Sequence, residues 1–301
     1  MATNKSDERS STGLLKWFRW TGFTDKTLWD WMQLLIVPII LGGGAFWFQS
    51  QASNTAQRSE DQRADAQLKI EDDRERQAAL HTYLSNISTL LLDKNLIEAT
   101  EENPVREIAR ATSLNTLRQL DSKRKGLLIT FLYDSGLVGF TNPPGERDQN
   151  GIESADEIFP DSQLPIIDLF GADLSGADLN EAFLEGIDLF KADLTGANLK
   201  FADLNAAQLA FANLEGANLQ GSDLSNANLS FANLKGVDLR GEFEAFLDGA
   251  NLEFSDLTGA NVTNQQIAQA DSLEGLKLPD GSLIDSEEAA RLFKQQHGRA
   301  E

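Results

Sequence analysis

The feature that most limits the fold is a leucine that recurs every five residues between residues 164 and 270. A helix advances about 500° over five residues and scatters such leucines around its axis. A straight strand alternates faces, so an odd step sends every second leucine outward. The chain must therefore turn once per repeat, with each leucine and the small residue two places before it pointing inward. This pattern predicts a solenoid.

The repeat centres are Leu169, Leu174, Leu179, Leu184, Leu189, Leu194, Leu199, Leu204, Leu209, Leu214, Leu219, Leu224, Leu229, Leu234 and Leu239, then, after a three-residue insertion, Leu247, Leu252, Leu257 and Val262. The phrases GADLSGADL, KADLTGANL, FANLEGANL and FANLKGVDL resemble the pentapeptide-repeat family. That resemblance implies a mainly β solenoid, a right-handed quadrilateral β-helix with four repeats per coil and about five coils in residues 164–270. Repeats twenty residues apart should then stack. Glycines recur at that interval, which suits a turn with positive φ; they are Gly176, Gly196, Gly216 and Gly236.

Charge and composition limit the function classes. The 301 residues carry a net charge of −21 and no cysteine, so a disulfide framework and cysteine metal sites are excluded. The repeats, residues 165–270, contain 4 basic and 16 acidic residues. Such an acidic surface repels nucleic-acid phosphates, and we expect no nucleic-acid partner.

The N-terminal region predicts a membrane anchor. Residues 32–48 read MQLLIVPIILGGGAFWF without a charge, and all five tryptophans lie at or near the two ends of this run. These features predict an interfacial segment (1–30) followed by a transmembrane helix (31–48). A buried helix and a cleaved signal peptide, with Ser50-Gln51-Ala52 at the cleavage site, are the alternatives. The five basic residues before the run favour a cytoplasmic N-terminus and repeats on the opposite side.

The sequence pattern of residues 49–163 predicts helices followed by a linker. Residues 49–79 form a charged helical stalk, 80–140 a small helical domain, and 141–163 a linker rich in Pro, Gly and Asp. Within the domain, one helix should start after Asn103-Pro104 and another should run from about Ser122 to Asp134. The phrases YLSNISTLLLDKNL and VREIARATSLNTLRQLDSKRKGLLITFLYDSGL are similar to a segment of membrane-anchored, cyanobacterial-type pentapeptide-repeat proteins. That resemblance implies no agreed activity.

Basic side chains are concentrated in the predicted helical domain. They either form a face for lipid headgroups or for the carboxylates of the stalk, or they are ordinary solvated charges. They are Arg106, Arg110, Arg118, Lys123, Arg124 and Lys125.

The repeat pattern ends after Val262. We predict a short helix at Asn264–Ile267, then a C-terminal cap and tail (271–301) with a turn at Pro279-Asp280-Gly281 and a terminal helix that starts at Ser286.

The sequence offers little catalytic chemistry. It has two histidines and none of the phosphate-binding, dinucleotide, nucleophile-elbow or zinc-protease motifs. We therefore expect no enzyme activity, no cofactor and no metal. Aspartates do stack at twenty-residue intervals, as Asp168 over Asp188, Asp173 over Asp193 and Asp203 over Asp223. These pairs either bind a cation or occupy a solvent-facing position that tolerates Asp and Asn alike.

Aromatic residues suggest a binding surface. Phe170, Phe190, Phe211 and Phe231 should form a ridge on one face beside Lys191, and Phe243 lies in the insertion. The rings either stack on one another or form a strip that binds a protein partner. We therefore expect a non-enzymatic, membrane-tethered protein that acts as an interaction or scaffold module. The alternative is a DNA-mimicking inhibitor of a type II topoisomerase, an activity that the family resemblance implies for some members.

Overall fold

The computed structural model describes residues 28–100, 102–138 and 165–298, with side chains from residue 39 onward except that of Ala56. The chain divides into two compact units, Met1–Asp72 and Asp73–Glu301. Most of the predicted interfacial segment (1–30) and the whole linker (141–163) lie outside the described residues.

The described residues of the first unit are helical. Helix α1 comprises Leu28–Leu92, and its residues up to Asp72 belong to this unit. In the part of the chain described by the structure, no helix has an apolar stretch sufficient to cross a bilayer. The predicted transmembrane helix comprises residues 31–48. The side chains of residues 31–38 lie outside the described part of the chain, so the membrane span stays a prediction.

The second unit begins with packed helices. After the end of α1 come a 3₁₀ turn (Leu96–Glu98), α2 (Pro104–Gln119) and α3 (Ser122–Asp134). The starts predicted for α2 and α3 are confirmed. Each start has a side-chain cap: Asn103 accepts from the Val105 amide at 3.0 Å, and Asp121 accepts from the Arg124 amide at 3.0 Å. Such caps satisfy amides that have no partner within the helix.

The helices share an apolar core that contains one polar pair. Tyr83 of α1 is buried and its hydroxyl lies 2.7 Å from that of Ser113 in α2. Burial raises the pKa of Tyr83 to about 12, although the hydrogen bond to Ser113 acts in the opposite direction. The phenol therefore stays protonated at neutral pH and keeps its hydrogen bond within the core.

The repeats form stacked coils. Before the insertion, backbone bridges pair the residue that precedes each repeat centre with the one twenty places later, as in Asp173 with Asp193 and Asn198 with Asn218. The coils comprise residues 167–186, 187–206, 207–226, 227–249 and 250–270, a division that follows the bridges. Each face of a coil is joined to the same face of the next coil by one isolated bridge, because the chain turns every five residues. No extended strand therefore forms within the described residues. The predicted solenoid is present, but its β-structure consists of these bridges.

Two features of each repeat explain its sequence. The residue two places after the centre has positive φ, with 62°, 63°, 66° and 62° at Gly176, Gly196, Gly216 and Gly236. This confirms the predicted glycine column. The Asp or Asn before most centres accepts from the amide two residues later; Asp173 accepts from Ser175 at 3.1 Å. Since Asp and Asn offer the same Oδ1 acceptor, both residues serve at this position.

The insertion loops out between the fourth-coil residues Leu239 and Ala245. The Ala245 amide donates to the Leu239 carbonyl at 3.0 Å. The buried Gln266 donates from Nε2 to the carbonyls of both residues, at 3.1 and 3.2 Å. The bulge changes the stacking interval from 20 to 23 residues, since Asp223 pairs with Phe246. It therefore lengthens one coil without opening the solenoid.

The C-terminal end extends the solenoid further than the sequence predicted. Ser272 and Lys277 pair with Asn251 and Asp256 of the fifth coil, while Leu273 and Leu276 are buried. The five-residue pattern does end at Val262, but the stacking of the backbone continues beyond residue 270, the predicted end of the β-helix. A five-residue search misses this part because helix α4 (Asn264–Ile267) interrupts the spacing.

The predicted features of the cap are otherwise present. Helix α4 forms, and an antiparallel bridge joins Lys277 to Leu283 around the predicted turn. Helix α5 (Glu287–His297) starts after Ser286, which accepts from the Ala289 amide.

Helix α3 lies on the first coil. Ser122 accepts from the Asp178 amide at 2.9 Å through its carbonyl, in the position that the backbone of a preceding coil would take. A Cβ added at Gly126 would lie 1.8 Å from the Asp178 carbonyl oxygen. The buried Lys125 donates to Asp173 at 2.8 Å, and the Tyr133 hydroxyl donates to the Glu185 carbonyl at 2.8 Å. The helix thus covers the open edge of the solenoid.

The basic residues of the helices therefore divide into groups. Arg106 of α2 donates to the carbonyls of Ile166, at 3.2 Å, and Pro165. With Arg110 and Lys125 it binds the start of the solenoid, so the interpretation as ordinary solvated charge is wrong for these three residues. Arg124 pairs with Asp73, a carboxylate of the predicted stalk, at 2.7 Å.

Candidate partner-binding surface

The predicted aromatic ridge forms a continuous column. Successive ring centroids are 5.7 Å apart for Phe170 and Phe190, 5.4 Å for Phe190 and Phe211, and 4.7 Å for Phe211 and Phe231. A fifth ring, that of Phe254, stacks 4.9 Å beyond Phe231. We call these five residues the Phe stack. The stacking of ring on ring, one of the two interpretations that the sequence left open, is therefore present, and the binding of a partner stays a prediction.

Backbone pairing sets the spacing of the rings. The amide of Phe211 donates to the Ser230 carbonyl at 2.9 Å, and the amide of Phe231 donates to the Glu253 carbonyl at 2.8 Å. Equivalent side chains are therefore held about 4.8 Å apart, the distance between paired strands. That distance suits parallel aromatic rings: Phe211 and Phe231 are inclined by only 3°.

Two different turn positions supply the rings. Phe211, Phe231 and Phe254 have φ of 60°, 59° and 56°, the left-handed region that glycine occupies in other repeats. Phe170 and Phe190 lie one place earlier in their turns, and the Phe190 and Phe211 rings are inclined by 59° where the positions change. A bulky residue with positive φ is strained by roughly 1–2 kcal/mol. Glu181, Phe201, Ala206 and Asn226 adopt the same conformation on other faces, so this strain is a general property of the repeat turns.

The Phe stack is accessible over most of its length. Phe170, Phe211, Phe231 and Phe254 expose 42–50% of their surface, and Phe190 is half-buried. At the C-terminal end, Gly275 leaves room for the last ring, since an added Cβ would lie 2.3 Å from Phe254 Cδ1. The stack is thus an exposed apolar strip with a defined end.

Lys191 crosses the first part of the strip. Its Nζ lies 5.3, 5.4 and 5.7 Å from the ring centroids of Phe170, Phe190 and Phe211. These distances are within the range of cation–π attraction. The rings therefore already accept an ammonium group.

A cavity of about 550 Å³ lies between α2 and the first rings. Its lining includes Arg106, Glu107, Arg110, Asp188, Phe170 and Phe190. Arg110 pairs with Asp168 at 3.2 Å. Asp188 accepts from the Phe190 amide at 3.0 Å. Burial raises the pKa of Asp188; the Phe190 hydrogen bond opposes this shift, and the Asp168 carboxylate adds to it.

Phe243 does not join the Phe stack. Its ring packs against Phe201 with centroids 5.3 Å apart, above Gly221. Phe201 follows Leu199, so this pair occupies a different face of the coil. The Phe201–Phe243 pair and the Phe stack are therefore two separate aromatic surfaces. The sequence did not show that Phe243 would lie on a different face from the ridge.

The stacked carboxylates serve the turns. Asp188, Asp193, Asp203 and Asp223 each accept from the amide two residues later. Where Asn follows Asp in a column it donates to the carboxylate of the previous coil; Asn198 donates to Asp178 at 2.8 Å. Across the described ranges, no group of three or more His, Cys, Asp or Glu residues could hold a metal ion.

Sequence reasoning missed Phe254 and the cavity. Adding the three-residue insertion to the twenty-residue interval leads from Phe231 to Phe254, so this ring was within reach of the sequence. The cavity was not, because its lining comes from α2 and from coils about 60 residues further along, as the separation of 58 between Arg110 and Asp168 illustrates.

Comparison with known proteins identifies the repeats. Residues 167–200 and 202–241 match the family model described as Pentapeptide repeats, with eight copies. Comparison with curated proteins gave no match.

Several solved structures are similar to part of the chain. A pentapeptide-repeat protein from the cyanobacterium Cyanothece 51142 is 37% identical, with 38% of this chain and 66% of that chain covered and a TM-score of 0.25. A protein involved in heterocyst differentiation regulation, from the cyanobacterium Nostoc sp. strain PCC 7120, is 30% identical, with coverages of 40% and 69% and a TM-score of 0.21. A plasmid-mediated fluoroquinolone resistance protein is 21% identical, with coverages of 42% and 85% and a TM-score of 0.16.

Proposed function

The repeat region of this chain belongs to the pentapeptide-repeat family, and from that premise we propose that the protein is a non-enzymatic interaction module, tethered to a membrane, that docks another protein. The observation that carries this proposal is the Phe stack. Its rings are exposed, and three of them persist at strained backbone positions where glycine would fit without strain. Burying one such ring at an interface contributes roughly 1.5–3 kcal/mol.

The repeated polar positions of the solenoid surface are less suited to specific recognition than its aromatic rings. These positions carry Asp and Asn that are engaged with the turn amides. Specific interfaces depend on a few large anchors, and aromatic residues are enriched among them. The Phe stack provides such anchors at regular spacing, beside a cavity of about 550 Å³.

Two phenylalanine pairs allow a matched test. We expect Phe211→Ser with Phe231→Ser to lose the protein partners that are recovered by cross-linking in intact membranes and identified by mass spectrometry. The control is Phe183→Ser with Phe246→Ser, which removes two rings of 71% and 54% exposure from another face. Thermal melting must first show that both variants stay folded. If the Phe211/Phe231 variant is folded and recovers the same partners as the control, the Phe stack is only scaffold.

The competing function is inhibition of a type II topoisomerase by DNA mimicry. A surface that imitates duplex DNA presents regularly spaced negative charge. The face with the Phe stack instead presents five rings and Lys191, so docking explains its composition better. Inhibition of topoisomerase supercoiling by the purified full chain would favour this alternative.

A further inference from the structure

The charges beside the Phe stack favour one class of partner. At its N-terminal end, Glu107, Asp168 and Asp188 line or adjoin the cavity. At its C-terminal end, Glu253 and Glu274 supply the carbonyls that pair with the last ring-bearing turns. Four basic and 16 acidic residues occupy the whole repeat region. These carboxylates attract a cationic partner at both ends of the strip.

Asp188 is the carboxylate best placed to meet a partner. Its Oδ1 accepts from the Phe190 amide at 3.0 Å. Among the described residues, no basic side chain forms an ion pair with Asp188, whereas Asp168 in the same column is paired with Arg110. Its raised pKa, caused first by burial, has the sign expected of a charge without a counter-cation.

The neighbouring rings also favour a cation. Lys191 lies over the faces of three of them, and on another face Lys200 lies 4.9 Å from the Phe201 centroid. The faces of aromatic rings carry partial negative charge and attract ammonium and guanidinium groups. The arginines of the cavity do not reverse this preference, because Arg110 is paired with Asp168 and Arg106 donates to backbone carbonyls.

We propose that the occupant of the Phe stack is a basic, apolar segment of another protein. One arginine or lysine side chain enters the cavity beside Asp188 and the rings of Phe170 and Phe190. Apolar side chains of the same segment lie on the rings of Phe211, Phe231 and Phe254. This inference rests on the docking function proposed above and specifies the chemistry of the partner.

The test uses the purified full chain in detergent and a fluorescein-labelled synthetic peptide of alternating arginine and leucine. The Asp188→Asn variant is compared with Asp203→Asn. Both changes remove one negative charge, and both keep the Oδ1 that accepts from Phe190 or from Asn205. By fluorescence anisotropy at physiological salt, we expect Asp188→Asn to weaken peptide binding roughly five- to tenfold, a loss typical of one charged contact. Asp203→Asn, on a face without the Phe stack, should change binding less than about twofold.

A second pair of measurements tests the sign of the charge. Lys191→Gln should tighten binding of the arginine–leucine peptide, because it removes a competing cation from the rings. A peptide with glutamate in place of arginine should bind far more weakly. Equal weakening by Asp188→Asn and Asp203→Asn would reveal only general charge attraction and overturn the inference. So would tighter binding of the glutamate peptide.

Failure here is distinguishable from failure of the docking function. If Asp188→Asn leaves peptide binding unchanged while Phe211→Ser with Phe231→Ser abolishes cross-linking in membranes, the Phe stack docks a partner that is not basic. If neither change has an effect, both proposals fail.

Discussion

At the residue scale, the turn position with positive φ decides much of the behaviour of this solenoid. The chain places Gly, Glu, Lys, Ala, Asn or Phe at this position. Residues other than glycine are strained in this region because Cβ approaches the carbonyl oxygen. Phenylalanine offsets part of that strain through ring stacking, worth roughly 0.5–1.5 kcal/mol per pair. Alanine has no such compensation.

Ala206 therefore provides a test of the strain. Its φ is 55°. We expect Ala206→Gly to raise the free energy of unfolding by up to about 1 kcal/mol, since relief of the strain exceeds the extra backbone entropy of glycine. The neighbouring Ala207 is fully buried, and Ala207→Gly should lower stability by about 1 kcal/mol through a lost core methyl group. Chemical denaturation measures the free energy of unfolding of both variants. If Ala206→Gly is the less stable of the two, the strained turn position is not residue 206.

At the element scale, α3 acts as the first layer of the solenoid. The coils are open at both ends, and an uncovered edge offers unpaired amides and carbonyls to another chain. At the N-terminal end, Ser122, Lys125 and Tyr133 of α3 bind the backbone or side chains of the first coil. At the C-terminal end, α4 and the residues up to Lys277 continue the stack. Both edges are thus covered by the chain itself.

Gly126 is the contact on which α3 depends. We expect Gly126→Ala to separate α3 from the first coil, because the new methyl group would overlap the Asp178 carbonyl. Overpacking of this kind costs roughly 1–3 kcal/mol. Hydrogen exchange should show faster exchange at the Asp178 amide, which donates to Ser122, and unchanged exchange at the Asn213 amide, which donates to Ala192 between inner coils. Lys123→Ala on the exposed side of α3 is the control. Retained protection of Asp178 in Gly126→Ala would mean that α3 is not the cap.

At the scale of the whole molecule, the proposed function combines an anchor with an acidic docking unit. The repeats carry most of the net charge of −21, which opposes self-association and adhesion to anionic lipid. Residues 32–48 carry no charge, and we propose that they hold the chain in a membrane. A tether of this kind confines docking to partners at the same membrane and raises their effective concentration.

The proposed anchor has a direct test. The full chain should remain in the membrane pellet after an alkaline carbonate wash, whereas a variant that lacks residues 1–50 should appear in the supernatant, because about seventeen apolar residues then no longer enter the bilayer. Release of the full chain by carbonate would remove the anchor from the proposal. Protease added outside intact cells should digest the repeats and spare residues 1–25, and protection of the repeats would reverse the proposed orientation.

The sequence by itself determined the coil. A five-residue period is incompatible with a straight helix or strand, so the inward leucines and the outward Asp and Asn followed from it. Gly176 and its equivalents marked the positive-φ turn, and Asn103 and Ser286 marked helix starts, because each of these features depends on residues only a few places apart.

Only the tertiary structure decided which distant segments meet. The sequence left open whether Arg110 and Lys125 form a binding face or are ordinary solvated charges. The structure instead pairs them with Asp168 and Asp173 of the first coil, about 50 residues further along the chain. Phe243 of the insertion packs against Phe201, a residue about 40 places earlier on another face. The physical reason is that local periodicity fixes the direction of a side chain relative to its own turn, whereas its neighbours depend on the packing of segments that the sequence separates.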